Sequence, residues 1–389
     1  MSIKLADRMS RLANETAFVM LAKAKALEAT GREIIHLEIG EPDFPTPDNV
    51  IAKGIEAMQA GMTKYTPSAG LLETRQIIAE YISKTRGFEV EAEQVVMTAG
   101  GKPIIFYSIL AVVNPGDEVI YPDPGFPIYQ SVINFVGGTP VPIPLREENE
   151  FRMDIDELKS LITNKTKMII INSPQNPTGG MLSKDDMAEI AKILADRDIV
   201  VLSDEIYENI VYEDRAYSIS SIPGMKEKTI ILNGFSKSYS MTGWRAGYGV
   251  MPKKIADDIN KLVVNSTSCL AGFTQMACIE AITGPQDELK RRVEQFRLRR
   301  DKIVEGLNSI KGLKCVKPRG AFYVFPNIKY FGKSSAEMAD YLLNEAGVAT
   351  LPGGSFGSYG EGYIRISYAN SMENIDKAIA QIEYALSKL

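Results

Sequence analysis

The chain has 389 residues, 45% of them hydrophobic and 24% charged, with a formal net charge of −5. It is too long for one ordinary core, ordinary in composition for a folded protein, and lacks the basic balance of a nucleic-acid binder. Three irregularly spaced cysteines (Cys269, Cys278, Cys315) and a single histidine argue against a disulfide framework or a His/Cys metal centre, and point to a reducing, cytoplasmic setting.

The N-terminus, Met-Ser-Ile-Lys-Leu-Ala-Asp-Arg, has no apolar stretch after its charges, so no leader and no membrane attachment are expected. The first helix is expected over about Thr16 to Ala29, followed by the apolar Ile34–Ile39 and the turn-rich Gly40–Pro47. Val95–Met97 reads as a strand and Lys102 to Val113 as a helix. The apolar run in that helix is far short of a membrane span. Glu118–Tyr121 is a strand, Phe126 to Phe135 a helix, and Lys167–Asn172 a strand with almost no polar interruption. A helix over Lys184 to Asp196 and strands at Ile199–Ser203, Thr229–Asn233 and Ala246–Met251 complete this part. Continuous β-branched runs between helices predict strands buried on both faces of a mainly parallel sheet, an α/β architecture.

After about Gly284 the pattern changes. A charged helix over Asp287 to Ser309 leads to strands at Ala321–Phe325 and Tyr363–Ser367 and a final helix from Met372. The Arg297–Arg300 cluster on the long helix is read as a solvated face. The expected organisation is an N-terminal lid and part of a small domain (1–45), a large domain (46–284) and a C-terminal small α+β domain (285–389). The N-terminal segment packs on the last of these in this reading.

Four loops carry polar residues at strand ends. Thr98-Ala-Gly-Gly-Lys-Pro103 joins a strand to a helix, and its glycines and helix N-terminus suit an anion. Asn172-Ser-Pro-Gln-Asn-Pro-Thr-Gly179 and Ser203-Asp-Glu-Ile-Tyr207 each follow a buried strand. Asn233-Gly-Phe-Ser-Lys-Ser-Tyr-Ser-Met-Thr-Gly-Trp-Arg245 places Lys237 eight residues before an arginine. Singly these are a turn, a capping aspartate and a loop lysine. Together they can converge at the carboxyl edge of one sheet, where α/β proteins bind ligands. They then offer an anion cradle, an acid for a ring nitrogen, donors for a ring oxygen and an amine for a carbonyl, a set that suits pyridoxal phosphate. Neither Gly-x-Gly-x-x-Gly nor the Walker pattern occurs.

The Asn-Pro-Thr-Gly, Ser-Asp-Glu-x-Tyr and Ser-Lys…Gly-Trp-Arg blocks, in this order and spacing, resemble the class I aminotransferases of the aspartate aminotransferase superfamily. These are the fold-type I pyridoxal-phosphate enzymes, and the likeness is strongest to the bacterial and archaeal branch with Gly-Glu-Pro-Asp-Phe (Gly40–Phe44). The resemblance implies a large domain with a seven-stranded sheet, a discontinuous small domain, and a homodimer with shared active sites. It implies a ping-pong transfer of an amino group between an L-amino acid and a 2-oxo acid, the cofactor alternating between its pyridoxal and pyridoxamine forms. By the same resemblance, Lys237 carries the cofactor as a Schiff base and shuttles the proton. Asp204 pairs with the ring nitrogen, Asn176 and Tyr207 bond the ring oxygen, and Phe126 stacks on the ring. Gly100, Gly101, Lys102, Ser236 and Arg245 hold the phosphate, with Tyr65 reaching it from the other subunit. Arg365 clamps the substrate carboxylate, helped by Gly40 and Asn176. Gly-Glu-Pro-Asp-Phe itself is read as a turn, and His36 as structural. Glu15, Thr16 and Phe18 fall where relatives place a mobile lid. The substrate class stays open between aspartate or glutamate, aromatic and alanine types, as does a lyase on the same fold.

Overall fold

A computed structural model describes residues 3–13 and 16–389. Its centre is a seven-stranded sheet in the order β2-β8-β7-β6-β5-β3-β4. In chain order, β1 is Ile35–His36, β2 Val95–Thr98, β3 Glu118–Asp123, β4 Thr139–Pro144, β5 Thr166–Asn172, β6 Val200–Asp204, β7 Thr229–Gly234 and β8 Gly247–Val250. β8 runs antiparallel to both of its neighbours, β2 and β7, while the remaining pairs are parallel.

Alternation along β5 shows why the run Met168–Ile171 has no polar member. Met168 and Ile170 pack with Ile104, Tyr129 and Ile259 from helices on one face. Ile169 and Ile171 pack with Met187 and Ile190 on the other. A strand covered on both sides needs apolar residues at every position. β4, Thr-Pro-Val-Pro-Ile-Pro, carries proline at alternate positions, which a strand tolerates only at an edge. β4 is the last strand of the sheet, and its parallel pairing with β3 leaves every second N–H position facing away from the ladder.

The C-terminal part holds β9 (Tyr323–Val324), β10 (Val348–Ala349), β11 (Leu351–Pro352) and β12 (Ile364–Ser367). β12 lies between β11 and β9, antiparallel to both, so Arg365 belongs to a central strand and not an edge. β1 pairs in parallel with β10, and the Ser367 amide donates to Leu37 O. The N-terminal segment is therefore hydrogen-bonded into the C-terminal sheet region.

The long helix Asp287–Ser309 corrects one expectation. Arg299 and Arg300 are not on a solvated face: Arg300 is fully buried. Its guanidinium pairs with Glu213 and Asp301 and lies 4.5 Å over the Tyr212 ring. Arg299 makes a two-pronged bond to Asp43 at 2.6 and 2.9 Å and stacks over Phe44. Buried charges persist because each has a carboxylate partner. The turn Gly40–Phe44 is thereby latched to the long helix. Among the described residues, no helix is long and apolar enough to cross a membrane.

Candidate active site

β2, β5, β6 and β7 all run in one direction, so their carboxyl ends share one edge of the sheet. Register aligns Asn172 with Asp204 and Asp204 with Leu232 across that edge. β8 starts where those strands end, which brings Arg245, just before Gly247, back to the same edge. A cavity of about 510 Å³ opens there. Of the sequence-derived candidates, Gly40, Gly101, Lys102, Phe126, Asn176, Asp204, Tyr207, Ser236, Lys237, Arg245 and Arg365 line it. Gly100 stands behind Arg245. Tyr65 is not part of it and is 91% exposed.

Lys237 is half-buried, and its Nζ donates to Gly40 O at 2.6 Å. Burial pushes the amine down to about 8; the Arg365, Arg245 and Lys102 charges add to this, against the pull of Glu41. Asp204 is 4% exposed at the end of β6. Its carboxylate accepts from Tyr129 Oη at 2.6 Å and from the Ile206 amide at 3.3 Å. Burial raises it to about 6 despite those bonds. A buried acid held by a phenol and an amide is disposed to take a cationic N–H partner.

Tyr207 and Tyr323 share a hydrogen bond of 2.7 Å between hydroxyls, and burial lifts the Tyr207 phenol well above its ordinary value. Arg365 is 5% exposed. It donates to Asn176 Oδ1 at 3.1 Å and to Glu38 O, and lies 4.5 Å over the Tyr323 ring. Gly40 has to be glycine here, because a Cβ would collide with Tyr323 Oη. Lys102 Nζ is 5.3 Å from the centre of the Phe126 ring.

The anion end is a backbone cradle. Gly100 sits at φ +93°, and Gly101 caps the helix Lys102–Val112, which has proline in its first turn. A Cβ on Gly247 would strike the backbone of Gly100 and Gly101, so β8 can approach this turn so closely only with glycine at 247. Arg245, at φ +55°, lays its guanidinium over this turn, donating to Thr242 O at 2.7 Å and Ala99 O at 3.3 Å. Helix N–H groups, a hydroxyl (Ser236) and a guanidinium together fit a phosphate. The amine, the buried acid and this cradle fit pyridoxal phosphate.

Sequence reasoning missed several lining residues. Tyr129 and Tyr323 sit in apolar runs that read as core, with no polar signal for their hydroxyls. Asn172 holds the site's backbone, donating to Asp204 O at 3.1 Å and accepting from the Asn176 amide at 3.0 Å. Glu41 lines the cavity and bonds Thr242, so the Gly-Glu-Pro-Asp-Phe turn does reach the site. Phe18 stands at the mouth, 64% exposed, beside Ala17. Thr16 begins the helix Thr16–Glu28, and Glu15 lies outside the described residues. His36 bonds Glu38 and Glu28, away from the cavity.

Known proteins match this arrangement along its length. The sequence pattern described as aminotransferase class I and II matches residues 32–382. An aspartate aminotransferase of Pyrococcus abyssi is 42% identical over 361 residues, 91% of this chain and 92% of that protein. An aromatic-amino-acid aminotransferase of Thermococcus litoralis is 38% identical, covering 99% of this chain and 98% of the other. The solved aspartate aminotransferase from Thermus thermophilus with maleate superposes with a TM-score of 0.95 at 35% identity, covering 99% and 100% of the two chains. The chain belongs to the class I and II aminotransferases. It is a fold-type I transaminase with pyridoxal 5′-phosphate as cofactor, acting on amino acids and 2-oxo acids.

Proposed function

We propose that this cavity is the transamination site, and that its preferred pair is a dicarboxylic amino acid, aspartate or glutamate, with the matching 2-oxo acid. The observation that carries the substrate class is that, besides Lys237 and Arg245, two further cationic side chains line the cavity, Arg365 on its floor and Lys102 on its wall. Arg365 offers the planar fork suited to an α-carboxylate; Lys102 offers a point charge for a distal one. The Pyrococcus abyssi and Thermus thermophilus relatives are named aspartate aminotransferases, and the latter was solved with maleate, a dicarboxylate. A second reading, an aromatic donor, is favoured by the apolar wall of Phe18, Ile39, Ile105 and Phe126 and by the Thermococcus litoralis relative.

Bound pyridoxal phosphate supplies an electron sink that lets the amino acid's α-hydrogen leave as a proton. In this reading Lys237 Nζ is the attachment point and, once released, the base. A pKa of about 8 leaves part of the amine neutral near neutral pH, able to take that proton and return it. The Asp204 carboxylate, buried at the end of β6, would pair with the ring nitrogen and keep it protonated. Tyr207 Oη and Asn176 Nδ2 would donate to the ring oxygen, and Phe126 would cover a ring face. Gly100, Gly101, Ser236 and Arg245 would hold the phosphate. Arg365, with Gly40 and Asn176 beside it, orients the substrate carboxylate so that the α-hydrogen faces Lys237.

Tyr65 supports a homodimer. It is exposed on its own chain and outside its own cavity, with Ile55, Met58 and Val264 also exposed, as expected for a residue completing a second copy's phosphate site. Residues 1–45 and 285–389 are proposed as a smaller domain against 46–284, and three free cysteines support a cytoplasmic setting. The test is a spectroscopic half-reaction series. Aspartate and glutamate should convert the bound cofactor to its pyridoxamine form faster than phenylalanine, tyrosine or alanine. Faster conversion by phenylalanine would select the second reading, and release of ammonia without that conversion would select a lyase.

A further inference from the structure

Asp204 and Tyr207 belong to one tight turn, and the residues that follow each of them, Glu205 and Glu208, do not enter the cavity. The spacing explains this. At the end of a strand, Asp204 and Glu205 face opposite ways, and the turn 205–209 repeats the arrangement three residues on, with Glu208 N–H donating to Glu205 O at 2.9 Å. Asp204 and Tyr207 therefore face the cavity, while Glu205 and Glu208 face away from it.

A single side chain holds both glutamates. Arg86, the last residue of the helix Leu72–Arg86, donates to Glu205 Oε2 through Nε at 3.1 Å and through Nη2 at 2.5 Å, and also to Glu208 Oε2 through Nη2. The side chains of all three are at least nine-tenths buried. Every remaining carboxylate oxygen is also satisfied. Glu205 Oε1 accepts from Ser203 at 2.8 Å and from Ser218. Glu208 Oε1 accepts from Tyr81 at 2.9 Å and from Asn233 at 2.6 Å. Asn233 is the next-to-last residue of β7, just before the Lys237 loop, and Asn209, which donates to Tyr81 Oη at 3.5 Å, also donates to Ser238, the neighbour of Lys237, at 3.3 Å. The cluster thus touches the Asp204–Tyr207 turn and both ends of the segment that presents Lys237. An ion pair of this depth is weak evidence for net stability, because desolvation offsets much of its attraction, whereas a fully satisfied network does fix one geometry.

We propose that Arg86 is a positioning residue for transamination: its guanidinium, on the far side of the sheet edge, clamps Glu205 and Glu208 and so sets the spacing of Asp204 and Tyr207 in the cavity. The proposal rests on the roles given above to those two residues. A lysine at this position is a point charge that cannot reproduce a fork shared by two carboxylates.

The holoenzyme variants Arg86→Lys, Arg86→Met and Glu208→Gln test it. Expected for Arg86→Lys and Arg86→Met is a fall in kcat of about tenfold or more with the donor KM within about twofold, the signature of lost geometry and not of lost substrate binding. The pH midpoint of the bound cofactor's visible absorbance should rise, because Tyr207 Oη no longer meets the ring oxygen squarely. Glu208→Gln, which loosens only the Tyr207 end, should move that midpoint the same way by less. A lowered thermal midpoint with kcat and absorbance midpoint unchanged would overturn the proposal and leave Arg86 a structural anchor. If Arg86→Met fails to fold, Arg86→Lys and Glu208→Gln decide the matter. Reductive fixing of the cofactor in the unaltered enzyme separates the two levels. Label on Lys237 with a silent Arg86→Lys removes only the positioning claim, and label elsewhere removes the reading on which it rests.

Discussion

The floor and the mouth of the cavity are built differently. On the floor, Asp204, Tyr207, Asn176 and Arg365 are buried, each hydrogen-bonded to a neighbour, and each sits on a sheet strand or in the loop directly after one. At the mouth, Phe18 and Thr242 are less enclosed, and the side chains come from an N-terminal helix and the turn before Arg245. A preorganised floor fixes chemistry, while a looser mouth leaves room for selecting the substrate. The floor carries a cost in the cofactor-free protein. Lys237 and Asp204 are both held away from their ordinary proton affinities by burial.

The sharpest way to break this division is Lys237→Ala, which should cut turnover on the order of 10⁵-fold while circular dichroism shows the fold intact. Activity within tenfold of the parent would move the chemistry elsewhere. Asp204→Asn should cost about 10³-fold in kcat, with weaker cofactor retention measured by dialysis. Arg365→Ala should raise donor KM by about 100-fold and leave cofactor retention nearly unchanged. Equal loss of both would make Arg365 part of the scaffold. On the wall, Lys102→Met should raise KM for aspartate by about tenfold and spare phenylalanine, measured by steady-state kinetics. An equal effect on both would assign Lys102 to the cofactor.

The smallest effect concerns stability. The folded Lys237 amine titrates near 8 and the unfolded one near 10.5. Between these values the unfolded chain holds more protons, so stability rises with pH there, and the penalty is fully present below about pH 8. Lys237→Met should therefore stabilise the cofactor-free protein at pH 7 by roughly 1–3 kcal/mol, with the gain fading as pH approaches 10.5. Denaturant melts at pH 7 and pH 10 check it; equal stability of the two proteins at pH 7 would mean that burial does not strain the amine.

The floor was far more legible in the sequence than its supports. Lys237, Asp204 and Asn176 are polar residues directly after apolar strands, and that contrast marks them. Tyr129 and Tyr323 are aromatic residues among aromatic and aliphatic neighbours, so only their contacts show that their hydroxyls point at Asp204 and Tyr207. β5 to β7 were legible because burial on both faces demands continuous β-branched runs. β4 was not, since proline at alternate positions argues against a strand unless that strand is an edge. Arg299 and Arg300 look like surface charge because their partners, Asp43 and Glu213, lie far away in the chain. Tyr65 carries no signal in one chain, since what it touches belongs to a second copy in the proposed dimer.

The account turns on which amine bonds the cofactor. Borohydride reduction of the holoenzyme, followed by peptide mapping, measures this directly. The account predicts one reduced pyridoxyl group per chain, on the peptide containing Lys237. Fixation to Lys102 or to any other lysine, with Lys237 unmodified, would contradict it.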